Sequence, residues 1–240
     1  MLKGIKKIDV YKDPDAYDDA YPGYLGDLDY YLKKSKKGNV LYLGVGTGRI
    51  FGEIYKANKK TIGIDYSKDM VDRLVAKHPE MKGNLQIKDA LKAQFPRGSF
   101  DLIIAPYSFL QCFAYKDVEK MLKRINPWLK KDGVFLTDAF SAFLIPFKAM
   151  GLEANLTKAT DPKVSIYIQY DHLLQTMKEL TVVESKGVKK LIEMSMWYHF
   201  PSEIVRALES AGFKTKTFGD YGKNGFSSKD HDVVVFESKK

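Results

Sequence analysis

Leu43-Gly44-Val45-Gly46-Thr47-Gly48-Arg49 sets three glycines at alternate positions, and its flanks decide how it reads. Before it, Val40-Leu41-Tyr42-Leu43 is a short apolar run closed by glycine, the pattern of a buried parallel strand. After it, residues 49–57 read as a helix. Glycine lets the backbone turn tightly and approach a ligand with no Cβ in the way. The helix that follows offers unpaired N–H groups and positive dipole character to a carboxylate or phosphate. Seventeen positions beyond Gly48, at the end of a second strand (Thr61-Ile62-Gly63-Ile64-Asp65), stands Asp65. A strand-end carboxylate there can accept hydrogen bonds from both hydroxyls of a ribose.

Working outward, strands and helices alternate. Ser67 to Lys77 reads as a helix, with Ser67 as N-cap and Asp69 in its first turn. Leu85 to Lys88 is a weaker strand and Phe100 to Ala105 a strong one, and a helix follows around 117–129. Asp132-Gly133 turns the chain into a fifth strand, Val134 to Asp138. This alternation predicts an α/β fold, a Rossmann-like, seven-stranded, mostly parallel sheet flanked by helices. From residue 163 the texture changes. Lys163–Gln169, His172–Val183 and Lys189–His199 are rich in Val, Ile, Thr, Tyr and Leu, and predict an antiparallel β-meander inserted over 163–199. Pro201 to Gly212 has Pro at the start and Gly at the stop of a helix. Phe213–Asp220 and Val233–Ser238 complete the sheet as a hairpin-like pair. The expected organisation is a single domain over 1–240, with 163–199 as a substrate cap.

The 240 residues include 39 Lys and Arg against 30 Asp and Glu, a net charge of +9. Hydrophobic residues are 45% of the chain, which excludes a disordered protein. The lone Cys112 excludes an intrachain disulfide framework and a cysteine metal cluster, and no compact His/Asp/Glu spacing calls for a metal. No window approaches the roughly 18 apolar residues of a membrane span. Residues 1–7 lack the apolar stretch of a signal peptide, so the expected location is cytoplasmic. The lysines fall in short scattered clusters, so the basic charge does not name nucleic acid as a partner.

The dinucleotide fingerprint is G-x-G-x-x-G, whereas this loop is G-x-G-x-G. Here the residues resemble the class I S-adenosylmethionine-dependent methyltransferases. Leu41 to Arg49 looks like the first motif of that family, Gly63 to Ser67 like the second and Lys88-Asp89-Ala90 like the third. Phe100 to Ala105 looks like the strand before the acceptor site. Within the superfamily the chain is most similar to small-molecule members, including sugar N,N-dimethyltransferases, which share an opening like Tyr17-Asp18-Asp19-Ala20-Tyr21 and a late antiparallel insertion.

The resemblance implies S-adenosylmethionine as cofactor, leaving as S-adenosylhomocysteine, and a fixed set of contacts. Gly44, Gly46 and Gly48 would meet the methionine part, Asp65 the ribose, and Tyr66 the adenine face. Asp89 would accept from the adenine amino group, with Ala90 beside it. Ala105 to Ser108 would line the sulfonium side, and Tyr17 and Tyr21 would close over the cofactor. One position departs from the pattern: Tyr42 stands where the family usually carries an acid that organises the methionine amino group.

The acceptor is expected to be a small molecule with an N or O nucleophile, the chain acting as monomer or homodimer. Ala105-Pro106-Tyr107-Ser108 lacks the Asn/Asp-Pro-Pro-Tyr signature of exocyclic amine methylation on bases and glutamine, and no Pro-Cys pair for pyrimidine methylation is present. His199, His172 and Tyr107 are the candidate acid/base groups, His199 within an aromatic stretch expected to roof the pocket. The competing readings are an RNA or protein methyltransferase using the basic surface, a non-catalytic cofactor-binding module, and, against the glycine spacing, a nicotinamide oxidoreductase.

Overall fold

The computed structural model describes residues 6–21, 26–145, 153–158, 163–222 and 224–240; residues 1–5 of the N-terminal reading lie outside them. The chain order is β1 (Lys6–Asp9), α1 (Pro14–Ala20), α2 (Leu28–Ser35), β2 (Val40–Leu43), α3 (Phe51–Ala57) and β3 (Thr61–Asp65). Then come α4 (Lys68–Lys77), β4 (Leu85–Ile87), β5 (Phe100–Ala105), α5 (Tyr115–Trp128), β6 (Leu129–Phe140) and β7 (Glu153–Lys158). The chain continues through β8 (Lys163–Asp171), β9 (Thr176–Ser185), β10 (Val188–Trp197), α6 (Pro201–Ser210), β11 (Lys214–Gly219) and β12 (Val233–Lys239).

Seven strands form one sheet in the order β11-β12-β6-β5-β2-β3-β4. The pairings from β6 to β4 are parallel, and β12 joins β6, and β11 joins β12, antiparallel. The expected sheet is therefore the observed one. From β2 the chain winds outward through β3 and β4, then returns to the other side of β2 as β5. That reversal opens a crevice at the carboxyl ends of β2 and β5, the place where open α/β sheets bind ligands.

The central strands are buried on both faces, which explains their unbroken apolar runs. On one face Ile103, Met121, Leu122, Phe135, Leu208 and Phe236 pack beneath α5 and α6. On the other, Tyr31, Phe51, Ile54, Leu74 and Ile104 pack with α2, α3 and α4. Ser67 caps α4 as expected, its Oγ accepting from Met70 N at 3.3 Å.

The second sheet is larger than the meander expected over 163–199. Its order is β1-β10-β9-β8-β7, so β7 from residues 153–158 and β1 from the N-terminal segment join the three expected strands. β1 lies parallel to β10, pairing Ile8 with Ile192. One boundary also shifts. His172 was expected at a strand start but sits in the turn between β8 and β9, because the Asp171 carboxylate accepts from Leu173 N and Leu174 N, both at 3.0 Å, and closes the hairpin. Lys186 and Gly187 both have positive φ, +50° and +77°, giving the two-residue turn that suits the twist of β9 and β10.

Close packing at the glycine loop makes one position intolerant. A Cβ on Gly63 in β3 would lie 2.4 Å from Val45 Cγ1 and 2.7 Å from Phe51 Cε2. Gly63→Ala is expected to destabilise the fold by about 1 to 3 kcal/mol through overpacking, read as a lower urea midpoint at unchanged slope.

Candidate functional site

A pocket of about 730 Å³ opens where β2, β3 and β5 end. Small-molecule sites span roughly 300 to 1,000 Å³. Its walls come from three directions: the strand-end loops, the N-terminal aromatics Tyr11, Tyr17 and Tyr21, and the inner face of β8, β9 and β10.

The glycine loop forms the floor. Gly44, Gly46 and Gly48 all have positive φ, at +71°, +54° and +91°, a conformation that favours glycine. Their missing Cβ atoms face different ways. At Gly46 nothing lies within 4 Å, so the backbone is bare towards the pocket it lines. At Gly44 a Cβ would strike Phe109 at 2.6 Å. At Gly48 it would strike Leu74 Cδ1 at 2.3 Å, and Gly48 does not line the pocket. Gly48 thus seats the loop on α4, which corrects its expected place against the ligand. Ala105 is likewise buried beneath the pocket and does not line it; Pro106, Tyr107, Ser108 and Phe109 do.

Asp65 closes the loop from the end of β3. Its Oδ2 accepts from Gly46 N at 2.8 Å and its Oδ1 from Ser67 N at 2.9 Å. Burial pushes its pKa up, while those N–H groups pull it back down. Tyr66, Asp89 and Ala90 line the same end, Tyr66 packed edge-on against Tyr11 with ring centroids 5.4 Å apart.

Tyr17 and Tyr21, 5.0 Å apart, reach the pocket from α1 and its C-cap. Asp13 caps that helix, accepting from Ala16 N at 2.9 Å, and Pro14 follows at its first position. Asp15 pairs with Arg73 at 2.7 Å, and Asp18 pairs with Lys77 at 2.5 Å and accepts from Thr47 Oγ1 at 2.6 Å, fixing α1 to α4 and the glycine loop.

The loop after β5 carries strain. Tyr107 and Ser108 have φ of +61° and +55°, uncommon for residues with side chains. Both N–H groups donate to the fully buried Asp138, Tyr107 N to Oδ2 at 3.0 Å and Ser108 N to Oδ1 at 2.6 Å. Tyr31 Oη also donates to Oδ2 at 2.7 Å. Burial raises the pKa of Asp138 and these donors oppose the rise. Tyr107 faces the pocket beneath the Arg49 guanidinium, 4.6 Å from its ring centroid, and its hydroxyl is pushed up to about 12 by burial. Arg49 is held bidentately by the buried Asp27, at 3.0 and 2.5 Å.

Sequence reasoning missed Asp27, Arg49, Asp138 and Glu179. The signal for Asp138 was available: an acid closing an apolar strand at the carboxyl edge of a parallel sheet. Asp27 and Glu179 carry no comparable mark, being lone acids in a helix N-cap and an antiparallel strand.

The two histidines are not in the pocket. His199 is buried, with Nε2 2.9 Å from the Phe113 carbonyl and its ring edge-on to Tyr115. It therefore does not roof the site as expected. His172 sits outside the pocket lining, with Nδ1 2.8 Å from Tyr198 Oη and its ring stacked on Tyr170. Of the three acid/base candidates only Tyr107 lines the cavity. Cys112 does line it, but burial pushes its thiol up to about 11, the behaviour of a small hydrophobe. Among the described residues no group of three or more His, Cys, Asp or Glu is placed to hold a metal, and no helix is long and apolar enough to cross a membrane.

Residues 40–133, from β2 into β6, match a family model described as a methyltransferase domain. That stretch, β2 into β6, is similar to methyltransferase domains. A relative from Anoxybacillus flavithermus, named as an uncharacterized methyltransferase, is 35% identical over 136 residues, which are 55% of this chain and 61% of that protein. The match thus spans less than two thirds of that relative's length. The CcbJ methyltransferase of Streptomyces caelestis superposes with a TM-score of 0.83 at 21% identity, over 96% of this chain and 97% of its own. CalS10 of Micromonospora echinaspora, an amino pentose methyltransferase solved with S-adenosylmethionine bound, superposes with a TM-score of 0.71 at 13% identity over the whole of both chains. The fold is that of the S-adenosylmethionine-dependent methyltransferases.

Two outcomes test this anatomy. Asp138→Asn, which puts an amide NH2 in place of one accepting oxygen and so sets it against at least one of the three existing donors, is expected to cost about 1 to 3 kcal/mol in urea unfolding. Burial holds His199 neutral, with its pKa below the ordinary imidazole value. The unfolded chain therefore takes up the proton first, at about pH 6.5. The stability contributed by neutral His199 is full above that pH and is lost as pH falls through its folded value. In unfolding measured from pH 7 to pH 5, His199→Gln is expected to flatten the decline relative to wild type.

Proposed function

We propose that this methyltransferase uses S-adenosylmethionine to methylate an N or O nucleophile of a small molecule, with the five-stranded sheet as the substrate cap of a single domain. The bare backbone at Gly46, beside the Asp65 carboxylate at the adjoining strand end, is the observation that carries the reading. The residues fit the cofactor in chemistry: a glycine cradle a Cβ would fill, a buried strand-end acid and an aromatic wall.

When bound, S-adenosylmethionine supplies an electrophilic methyl group on a neutral thioether leaving group. Everything else falls to the chain. Gly44 and Gly46 leave room for the methionine part, and Asp65 accepts from the ribose hydroxyls while keeping its own bonds to the loop. Tyr66 covers the adenine, and Asp89 and Ala90 meet its edge. Tyr17 and Tyr21 close the near side. Pro106 to Phe109, held by Asp138, form the wall at the reacting carbon. The Arg49 guanidinium, facing the pocket beside Tyr42, is suited to the methionine carboxylate, and its partner Asp27 returns a carboxylate to the neighbourhood where Tyr42 replaces the usual acid. Catalysis of this kind rests on alignment and exclusion of water, which the cap and α1 provide.

The enclosure supports a small acceptor, since the cap strands and the glycine loop line one cavity. Asp65→Ala is expected to weaken S-adenosylhomocysteine binding by about 1.5 to 3 kcal/mol, roughly ten- to hundredfold, in calorimetric titration. Unchanged affinity, or equal heat from NADH, would overturn the assignment.

A further inference from the structure

The cap presents a patterned face to the pocket. β8 contributes Ile168 and Tyr170, β9 Met177 and Glu179, and β10 Met194 and Met196. In register, Tyr170 pairs with Met177 and Met177 with Met196, while Ile168 pairs with Glu179 and Glu179 with Met194. A single buried acid therefore stands in the central strand of a patch that, apart from Ser195 of β10, is aliphatic, thioether and aromatic.

Burying a carboxylate in such surroundings is costly unless it is partnered. The Oε1 of Glu179 accepts from Tyr21 Oη and, at 2.8 Å, from Thr181 Oγ1. Both donors are neutral, and among the described residues no Lys, Arg or His forms an ion pair with Glu179. The neighbouring Lys178 is paired instead with Glu193, at 3.0 Å. Tyr107, on the loop after β5, lines the same pocket as Glu179.

A pocket-lining carboxylate without a cation of its own favours a ligand that brings one. The methionines and Tyr170 around it suit an apolar or aromatic body, and methionine and ring faces tolerate an adjacent cation. A polyhydroxylated acceptor would lose water from many hydroxyls against a patch with few polar partners.

Resting on the methyltransferase reading above, we propose that Glu179 is the acceptor-recognition residue and that the acceptor is a small amine carrying an apolar or aromatic group. Glu179 binds the ammonium form and takes one of its protons before methyl transfer, freeing the nitrogen lone pair, and the methionine and tyrosine side chains hold the apolar remainder.

The test is calorimetric, on the full chain saturated with S-adenosylhomocysteine, using 2-phenylethylamine and its neutral counterpart 2-phenylethanol as probes. Wild type is expected to bind the amine at least tenfold more tightly than the alcohol. Glu179→Gln is expected to erase that preference while leaving the alcohol and S-adenosylhomocysteine affinities within about twofold. Tyr21→Phe, which removes the hydroxyl contact but keeps the carboxylate, is expected to retain it. Equal binding of the two probes by wild type, no binding of the amine, or an equal loss of both probes in Glu179→Gln overturns the proposal. The wild-type comparison decides the charge preference even if Glu179→Gln fails to fold. Failure of S-adenosylhomocysteine itself to bind, seen in the first titration, overturns the methyltransferase reading instead.

Discussion

The buried carboxylate of Asp138 is the constraint around which the site is built. It sits near the carboxyl end of β6 and gathers the two backbone N–H groups of Tyr107 and Ser108 and the hydroxyl of Tyr31. Each link joins a different part of the chain: the last parallel strand, the loop after β5, and the helix before β2. Two consecutive left-handed residues with side chains are unfavourable in isolation, and strain of this kind persists where the surroundings over-determine it. Here a doubly accepting carboxylate does so. The result is a rigid wall at the mouth of the sheet, with Tyr107 aimed into the cavity and Ser108 Oγ accepting from Phe140 N at 3.1 Å to tie the loop back to β6.

Much of this was legible in the sequence because it rests on local rules. The parallel strands are apolar runs since both faces are covered, and the glycine loop announces itself through a backbone conformation other residues resist. The Ser67 cap follows from the need to satisfy helix N–H groups. What was illegible depends on long-range placement. Gly48 carries the same local signature as Gly46, and only the position of Leu74 tells which one faces a ligand. His199 lies in an aromatic stretch that could face the pocket or turn away. The carbonyl of Phe113, 86 residues distant, is what turns it. The N-terminal segment gave no strand signal because β1 is only four residues long and pairs with a strand from the far end of the chain.

Tyr42 stands behind the glycine loop, and the charged groups beside it are Arg49 and Asp27. Tyr42 is buried against Phe51, with ring centroids 5.5 Å apart, and fills apolar volume. The partner of the pocket-facing Arg49 is the buried Asp27. A buried pair of this kind costs solvation and repays it through geometry, here two hydrogen bonds and a guanidinium stacked over Tyr107. Arginine keeps its charge at any pH the protein meets.

The N-terminal segment belongs to both halves of the molecule. β1 is woven into the cap beside β10, while α1 is moored by ion pairs to α4 and the glycine loop, and Tyr21 reaches across to Glu179. The second sheet is therefore joined to the glycine-loop end through residues 6–21. One cavity is thus closed on two sides by a single stretch of backbone.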